Sequence, residues 1–208
     1  MMLEKLVVGP IGANCFIVGD SGEGAIIDPG GDPETVLKAV RSSGLSIKYV
    51  IATHGHFDHT GAVAPIVQAL GCEFLMHEED LFFARDSVTS ARKWGVEVEQ
   101  VPDPDRYISD GDVIEIGAME MKVIHTPGHS PGGVSLYVEK EGALFAGDTL
   151  FQRSIGRTDF RQGSMEILVN SIQKRIFELP PDTVVYTGHG PETTVDEERR
   201  MNPFVRLR

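Results

Sequence analysis

Cysteine, tryptophan and positive charge are all scarce in this 208-residue chain, and each scarcity excludes something. The two cysteines, Cys15 in "ANCFIV" and Cys72 in "LGCEFL", sit in apolar surroundings and form no CxxC pair. They read as small buried hydrophobes, which argues against a disulfide framework and for a reducing, cytoplasmic compartment. Lysine and arginine total 19 against 31 aspartates and glutamates, a net charge of −12. That balance excludes the broad basic footprint needed to hold a phosphate backbone, so no nucleic-acid partner is expected. No apolar run approaches the roughly 18 residues of a membrane span. The opening "MMLEKLVVGPIGANC" also lacks the apolar core of a secretion signal, so no membrane attachment is expected. What remains is ordinary: 41% hydrophobic and 24% charged residues. The length suits one domain, residues 1–208, with a sizeable core.

Short β-rich runs open the chain ("KLVVGP", "NCFIVGD", "GAIIDPGG"), each closed by a turn former. "DPETVLKAVRSSG" has an acidic start, helical apolar spacing and a glycine stop, so a helix follows, then the buried strand "IKYVIAT". "GAVAPIVQALG" predicts a second helix and "CEFLMH" a strand. The spacing then predicts one helix over residues 78–93 and a loop, "VPDPDRYISDGD". The second half repeats the pattern, with strands "VIEIG", "MEMKVIHTPG", "GGVSLYVEK", "ALFAGDTL" and "TVVYTGHG" and a helix over 164–177. Two groups of strands, each followed by helices, predict an α/β fold of two sheets packed face to face with helices outside, a four-layer αβ/βα sandwich.

Histidine is sparse too, with 7 in the chain, yet three fall within "THGHFDHTG". At the end of a strand His54 and His56 point to one side and can share one cation, while Asp58 and His59 lie just beyond, within reach of a second position. Three later stretches also place a metal-binding side chain at a strand end among glycines: His129 in "HTPGHSPGG", Asp148 in "LFAGDTLF" and His189 in "VYTGHGPE". Together they complete two sets. His54, His56 and His129 would hold one divalent ion and Asp58, His59 and His189 the other, with Asp148 bridging both. Imidazole and carboxylate ligands typically select Zn²⁺, and iron or manganese would also accept them. The two remaining histidines, His77 and His125, read as structural or as supports behind the ligands, with His125 the nearer to the site.

In this order, "THGHFDHTG", "TPGHSPGG", "GDTLF" and "GHGPETT" resemble the metallo-β-lactamase superfamily. The length and the ending "EERRMNPF" resemble its small glyoxalase-II-like members, the hydroxyacylglutathione hydrolase type. The resemblance runs from "NCFIV" and "IDPGG" to "NPF". It implies the αβ/βα sandwich with metals at the sheet edges, a bridging Asp148, and Asp28 as a buried aspartate that orients a metal-binding loop.

The implied activity is hydrolysis of an acyl thioester such as S-lactoylglutathione. A hydroxide shared by two cations would attack the carbonyl, and Asp58 would orient it as the catalytic carboxylate. No serine or cysteine nucleophile is expected, because "GHSPGG" is not a G-x-S-x-G elbow. Arg153 and Arg157, with Arg161 nearby, are candidate contacts for a substrate carboxylate, the alternative being a solvated loop. Phe82, Phe83, Trp94 and Tyr107 could roof the cleft or belong to the core. Full-length glyoxalase II has a C-terminal helical domain and an aromatic after the last ligand histidine, where this chain has Gly190. Two alternatives stay open. One is a lactone, ester, β-lactam or phosphodiester hydrolase of the same fold. The other is a persulfide dioxygenase with a single iron, which "GRTDF" also resembles.

Overall fold

A computed structural model of the chain describes residues 1–205. Its first half alternates strands and helices. Strands β1 (Met2–Val8), β2 (Ala13–Asp20) and β3 (Glu23–Ile27) form an antiparallel meander. Helix α1 (Pro33–Ser43) then leads to β4 (Ser46–Ile51). Helices α2 (Phe57–Thr60) and α3 (Val63–Leu70) follow, then β5 (Glu73–Met76), α4 (Leu81–Arg85), α5 (Ser87–Lys93) and the short β6 (Arg106–Tyr107). Strands β3 to β6 run parallel, giving a six-stranded sheet in the order β1-β2-β3-β4-β5-β6.

The second half supplies β7 (Val113–Ile116), β8 (Met119–His125), β9 (Val134–Val138), β10 (Ala143–Gly147) and the hairpin β11 (Leu150–Phe151) with β12 (Ser154–Ile155). Helix α6 (Met165–Ser171), β13 (Val184–Thr187), β14 (Thr193–Thr194) and α7 (Val195–Met201) complete it. The second sheet has the order β14-β13-β10-β9-β8-β7.

Strands β2, β9 and β10 read as nearly continuous apolar runs because both of their faces are covered, whereas β7 and β8 alternate buried apolar with exposed residues. Side chains alternate between two cores. Along β2, Cys15 and Ile17 join Val36, Val40 and Ile66 of α1 and α3, while Phe16 and Val18 point to the space between the sheets. There they meet Met121, Leu136 and Phe145 from the second sheet. Along β10 the pattern recurs: Phe145 faces the first sheet, and Leu144 and Ala146 face Leu168 and Ile172 beneath the last helices. The layers are thus helix, sheet, sheet, helix, as the sequence predicts. Each fully buried large side chain contributes about 1.5–3 kcal/mol relative to exposure, and the inter-sheet layer holds many of them. Among the described residues no helix is long and apolar enough to cross a membrane.

Three local expectations need correction. The single helix over 78–93 is instead a 3₁₀ turn, Glu78–Asp80, followed by α4 and α5. Asp86 breaks it: its N–H closes α4 on Phe82 and Phe83, and its carboxylate accepts the Ser90 hydroxyl at 3.1 Å to start α5. The helix over 164–177 becomes α6 plus a π-helical turn, Ile172–Ile176, in which the Phe177 N–H reaches the Ile172 carbonyl at 2.9 Å. Helix α7 was not anticipated, although Thr194 and Glu197 have the spacing of a capping box, and the Thr194 hydroxyl accepts the Glu197 N–H at 3.2 Å.

Both cysteines are buried and unpaired. Burial pushes each thiol above its ordinary range, Cys15 far above it. The reactive thiolate is therefore absent at pH 8. A thiol reagent should label neither cysteine in the native protein within minutes, and both after denaturation. Rapid native labelling of Cys15 would contradict this packing.

Candidate metal centre

The C-terminal ends of β3, β4, β8, β10 and β13 share one edge of the sandwich, and the predicted ligands stand just beyond them. The crevice outside the carboxyl ends of strands is where α/β folds place their sites. His54 and His56 follow β4, His129 follows β8, Asp148 follows β10 directly, and His189 follows β13. Asp58 and His59 occupy the short α2.

The seven side chains converge in the two expected sets. In the first, the rings of His54, His56 and His129 lie 4.7 to 4.9 Å apart, and His56 Nδ1 is 2.9 Å from His129 Nε2. In the second, His189 Nε2 lies 3.2 Å from His59 Nε2 and 3.3 Å from Asp58 Oδ2. Asp148 stands between them, with Oδ1 3.3 Å from His59 Nε2 and Oδ2 3.7 Å from His129 Nε2. Two nitrogens bound at about 2.05 Å to one tetrahedral zinc stand roughly 3.3 Å apart, so these separations suit ligands of a shared ion. Both triads could hold a metal. His54 Nε2 and Asp148 Oδ1 are buried with no hydrogen-bond partner among the described residues. Such orphaned polar atoms are costly unless something electropositive meets them, and a cation at each set would do so.

The outer ring nitrogens explain the aim of the inner ones. His129 Nδ1 donates to the Arg157 carbonyl at 2.7 Å, and His189 Nδ1 to the Gly12 carbonyl at 3.2 Å. His59 Nδ1 donates to Asp28 Oδ2 at 3.1 Å. The Thr53 hydroxyl donates to Asp28 at 2.6 Å, which leaves it to accept His54 Nδ1 at 3.1 Å. Each acceptor fixes the tautomer that presents Nε2 to an ion. Asp28, 1% exposed, also accepts the Thr53 N–H at 2.7 Å, so one carboxylate reaches a histidine of each triad. Asp28, His54 and His59 also fall within ligand distance of one another, but the Asp28 oxygens face Nδ1 and Thr53 rather than the centre.

Charge follows the same division. Burial, helped by neighbouring imidazoles, lowers His54 well below the ordinary histidine range and His56 to about 3, so both are neutral with free lone pairs. Burial also works against charge on His59 and His189, but Asp148 and Asp58 raise both above the ordinary value. Despite burial, the facing histidines hold Asp58 and Asp148 below the usual carboxylate range. The second set is thus a charged cluster whose protons a metal would displace. Packing there is close: a Cβ on Gly188 would fall 2.2 Å from Asp148 Oδ1.

Above the ligands lies a cavity of about 420 Å³. His56, Asp58, His129, Asp148 and His189 line its floor, and Ile11, Phe57, Phe83, Trp94, Phe151 and Phe160 its walls. Of the predicted aromatics Phe83 and Trp94 do line it, while Phe82 packs under Arg161 and Tyr107 lies exposed on β6. Arg157 lines the cavity over the Phe160 ring, with its fork held by Asp159 at 3.0 and 2.8 Å. Arg153 does not reach it. Its guanidinium pairs instead with Glu197 and the fully buried Glu198 of α7, outside the cavity lining. Pairing with carboxylates 44 and 45 residues away leaves no sequence signal.

The sequence reading also missed Thr53, Lys93 at the cavity rim, and Asn14. Asn14 is 1% exposed at the start of β2. Its side-chain amide donates to the Thr187 and Gly190 carbonyls at 2.8 and 2.9 Å, and its N–H to the Gly188 carbonyl at 2.7 Å, gripping the loop that carries His189.

Comparison with known proteins agrees with this geometry. Residues 8–189 match the family model described as the metallo-beta-lactamase superfamily. The chain is 43% identical over 207 residues to an uncharacterised protein of Aquifex aeolicus, covering 99% of this chain and 97% of that one. It is 34% identical over 208 residues to the hydroxyacylglutathione hydrolase GloC of Haemophilus influenzae, covering 99% and 98%. Among solved structures it resembles the BLEG-1 B3 metallo-beta-lactamase (TM-score 0.92, 38% identity, 98% and 99% covered). It also resembles TTHA1623 in a di-iron-bound form (0.90, 39%, 97% and 99%) and ETHE1 from Myxococcus xanthus (0.79, 27%, 99% and 84%). A family model spanning most of the chain, over a sandwich whose strand ends gather two His/Asp triads, makes this chain a member of the metallo-beta-lactamase superfamily.

Proposed function

We propose that this protein is a metal-dependent hydrolase of acyl thioesters, acting on S-lactoylglutathione or a related compound. The observation that carries this reading is the inventory of the cavity. Apart from Lys93 and Arg157, every imidazole, carboxylate and other titratable side chain lining it belongs to one of the two triads or is Asp148. Among the described residues the lining offers no imidazole or carboxylic acid outside the ligand sets to protonate a leaving group. An amine or alkoxide leaving group needs such a proton, whereas a thiol, with a pKa near 8.5, departs as its anion near neutral pH. The name of the Haemophilus relative points to the same chemistry.

Two divalent cations held by the triads, Zn²⁺ by ligand type, would supply Lewis acidity and a hydroxide at neutral pH. The residues do the rest. Asp58, anionic and lining the cavity, accepts a hydrogen bond from the attacking water and orients it. The aromatic walls hold the apolar part of the acyl or thiol group and exclude bulk solvent. Arg157 and Lys93, at the rim, suit a carboxylate on the thiol.

Metal-quantified protein should cleave lactoyl-glutathione and acyl thioesters lacking glutathione; comparing the two sets the thiol preference. Chelation should abolish the activity and zinc restore it. Trp94, the sole tryptophan and 60% exposed on the cavity wall, gives a direct readout: substrate analogues should shift its fluorescence, and Trp94→Ala should raise KM about tenfold with kcat little changed. Zinc-loaded protein that cleaves no thioester above the buffer rate would overturn the reading. The ETHE1 neighbour favours a second reading, a persulfide dioxygenase with a single iron, which requires one bound iron per chain and O₂ uptake.

A further inference from the structure

The tetrapeptide "HEED", His77 to Asp80, follows β5 and belongs to neither triad. It nonetheless reaches both loops that carry the first one. Asp80 has no exposed surface. Its Oδ2 accepts the N–H of Gly55, the residue between His54 and His56, at 2.8 Å. Its Oδ1 accepts the N–H of Gly132, three residues past His129, at 2.6 Å. The two loops leave opposite sheets, so one carboxylate spans the seam between them.

The backbone around it is equally close. A Cβ on Gly55 would lie 2.5 Å from the Asp80 carbonyl oxygen, and one on Gly132 2.7 Å from the Asp80 nitrogen. Either clash is too short for the loops to keep their places. From outside, the same loop is held by His125, whose Nε2 donates to the Pro131 carbonyl at 2.8 Å and whose ring stacks on His77 at 4.5 Å. His77 Nδ1 in turn accepts the Glu79 N–H at 3.2 Å and fixes the turn that presents Asp80. His77, Glu79 and His125 also lie close enough to hold an ion, but His125 Nε2 and His77 Nδ1 are engaged in these bonds. Burying a carboxylate is costly, and its two backbone donors offset that cost only in this arrangement.

We propose that Asp80 is a positioning residue that sets the spacing between His54/His56 and His129 before any ion binds. The inference rests on reading those three histidines as a ligand set. Oriented supports of this kind typically change metal affinity 10- to 100-fold when removed.

The test begins with metal-free wild-type protein and amide hydrogen exchange. The Gly55 and Gly132 amides should be protected at least about 100-fold over free peptide, and zinc should change this little. Protection that appears only with zinc would overturn the proposal, because the ion would then be setting the loops. In Asp80→Asn, of equal size, the side-chain NH₂ must face one of the two N–H donors. One amide should therefore exchange at least tenfold faster. Zinc affinity of the first triad, titrated against a chelator in a His189→Ala background, should fall 10- to 100-fold. The second position, read in the Asp80→Asn single variant, should change less than threefold. Equal weakening of both positions, or faster exchange with unchanged affinity, would overturn the positioning role. Wild-type protein that binds no zinc at all would overturn the ligand reading and this inference with it. The metal-free exchange data tell those failures apart.

Discussion

Replacing Asp148 with alanine should empty both metal positions together and lower thioester hydrolysis by about 10³-fold or more, equivalent to some 4 kcal/mol of transition-state stabilisation. Among the described residues Asp148 is the one carboxylate with oxygens within 4 Å of histidine nitrogens from both sets: His129 in the first, and His59 and His189 in the second. Its removal also takes away the carboxylate charge that would offset a cation in either set. Metal analysis of the dialysed variant should find well under one ion per chain, against two in the wild type. His189→Ala should vacate mainly one position, because His189 Nε2 lies against Asp58 and His59 of the second set and Asp148, with no first-set histidine within 4 Å of it among the described residues. Two ions retained in Asp148→Ala protein would refute the bridging role.

Asp28→Ala should destabilise the metal-free protein by about 3–5 kcal/mol and weaken both metal positions 10- to 100-fold. The carboxylate accepts from the Thr53 amide, the Thr53 hydroxyl and His59 Nδ1, and all three donors would be left buried and unpaired. Asp28 also takes φ 52°, a left-handed backbone that aspartate tolerates and alanine does not, which adds to the loss. Chemical denaturation measures the first effect and chelator titration the second. Loss of stability with normal zinc affinity would show that Asp28 supports only the loop. Asp28→Asn keeps the shape but presents an amide donor to one of the three, so it should fall between wild type and alanine.

The parts of this molecule that were legible in the sequence are those whose cause is local. Four candidate ligands lie within six residues in "HGHFDH", and the other candidates stand beside glycines at strand ends, so local spacing marks them. The central strands were legible because burial on both faces leaves long apolar runs, as in Cys15–Val18. What escaped depends on partners distant along the chain. Asp80 looks like one acidic residue in an acidic tetrapeptide until Gly55 and Gly132 close on it. Arg153 has the composition of a substrate contact, and only the fold turns it toward α7. The split of residues 78–93 rests on Asp86, which helical periodicity does not register because the apolar spacing on either side remains helical.

The grip of Asn14 on residues 187 to 190 has a consequence for biosynthesis. A segment from the first tenth of the polypeptide locks the last ligand, so the basin stays unfinished on the ribosome until the final strands emerge. A message truncated before that point yields a chain that carries "HGHFDH" yet lacks His189 and the complete sheet that covers Phe16 and Val18.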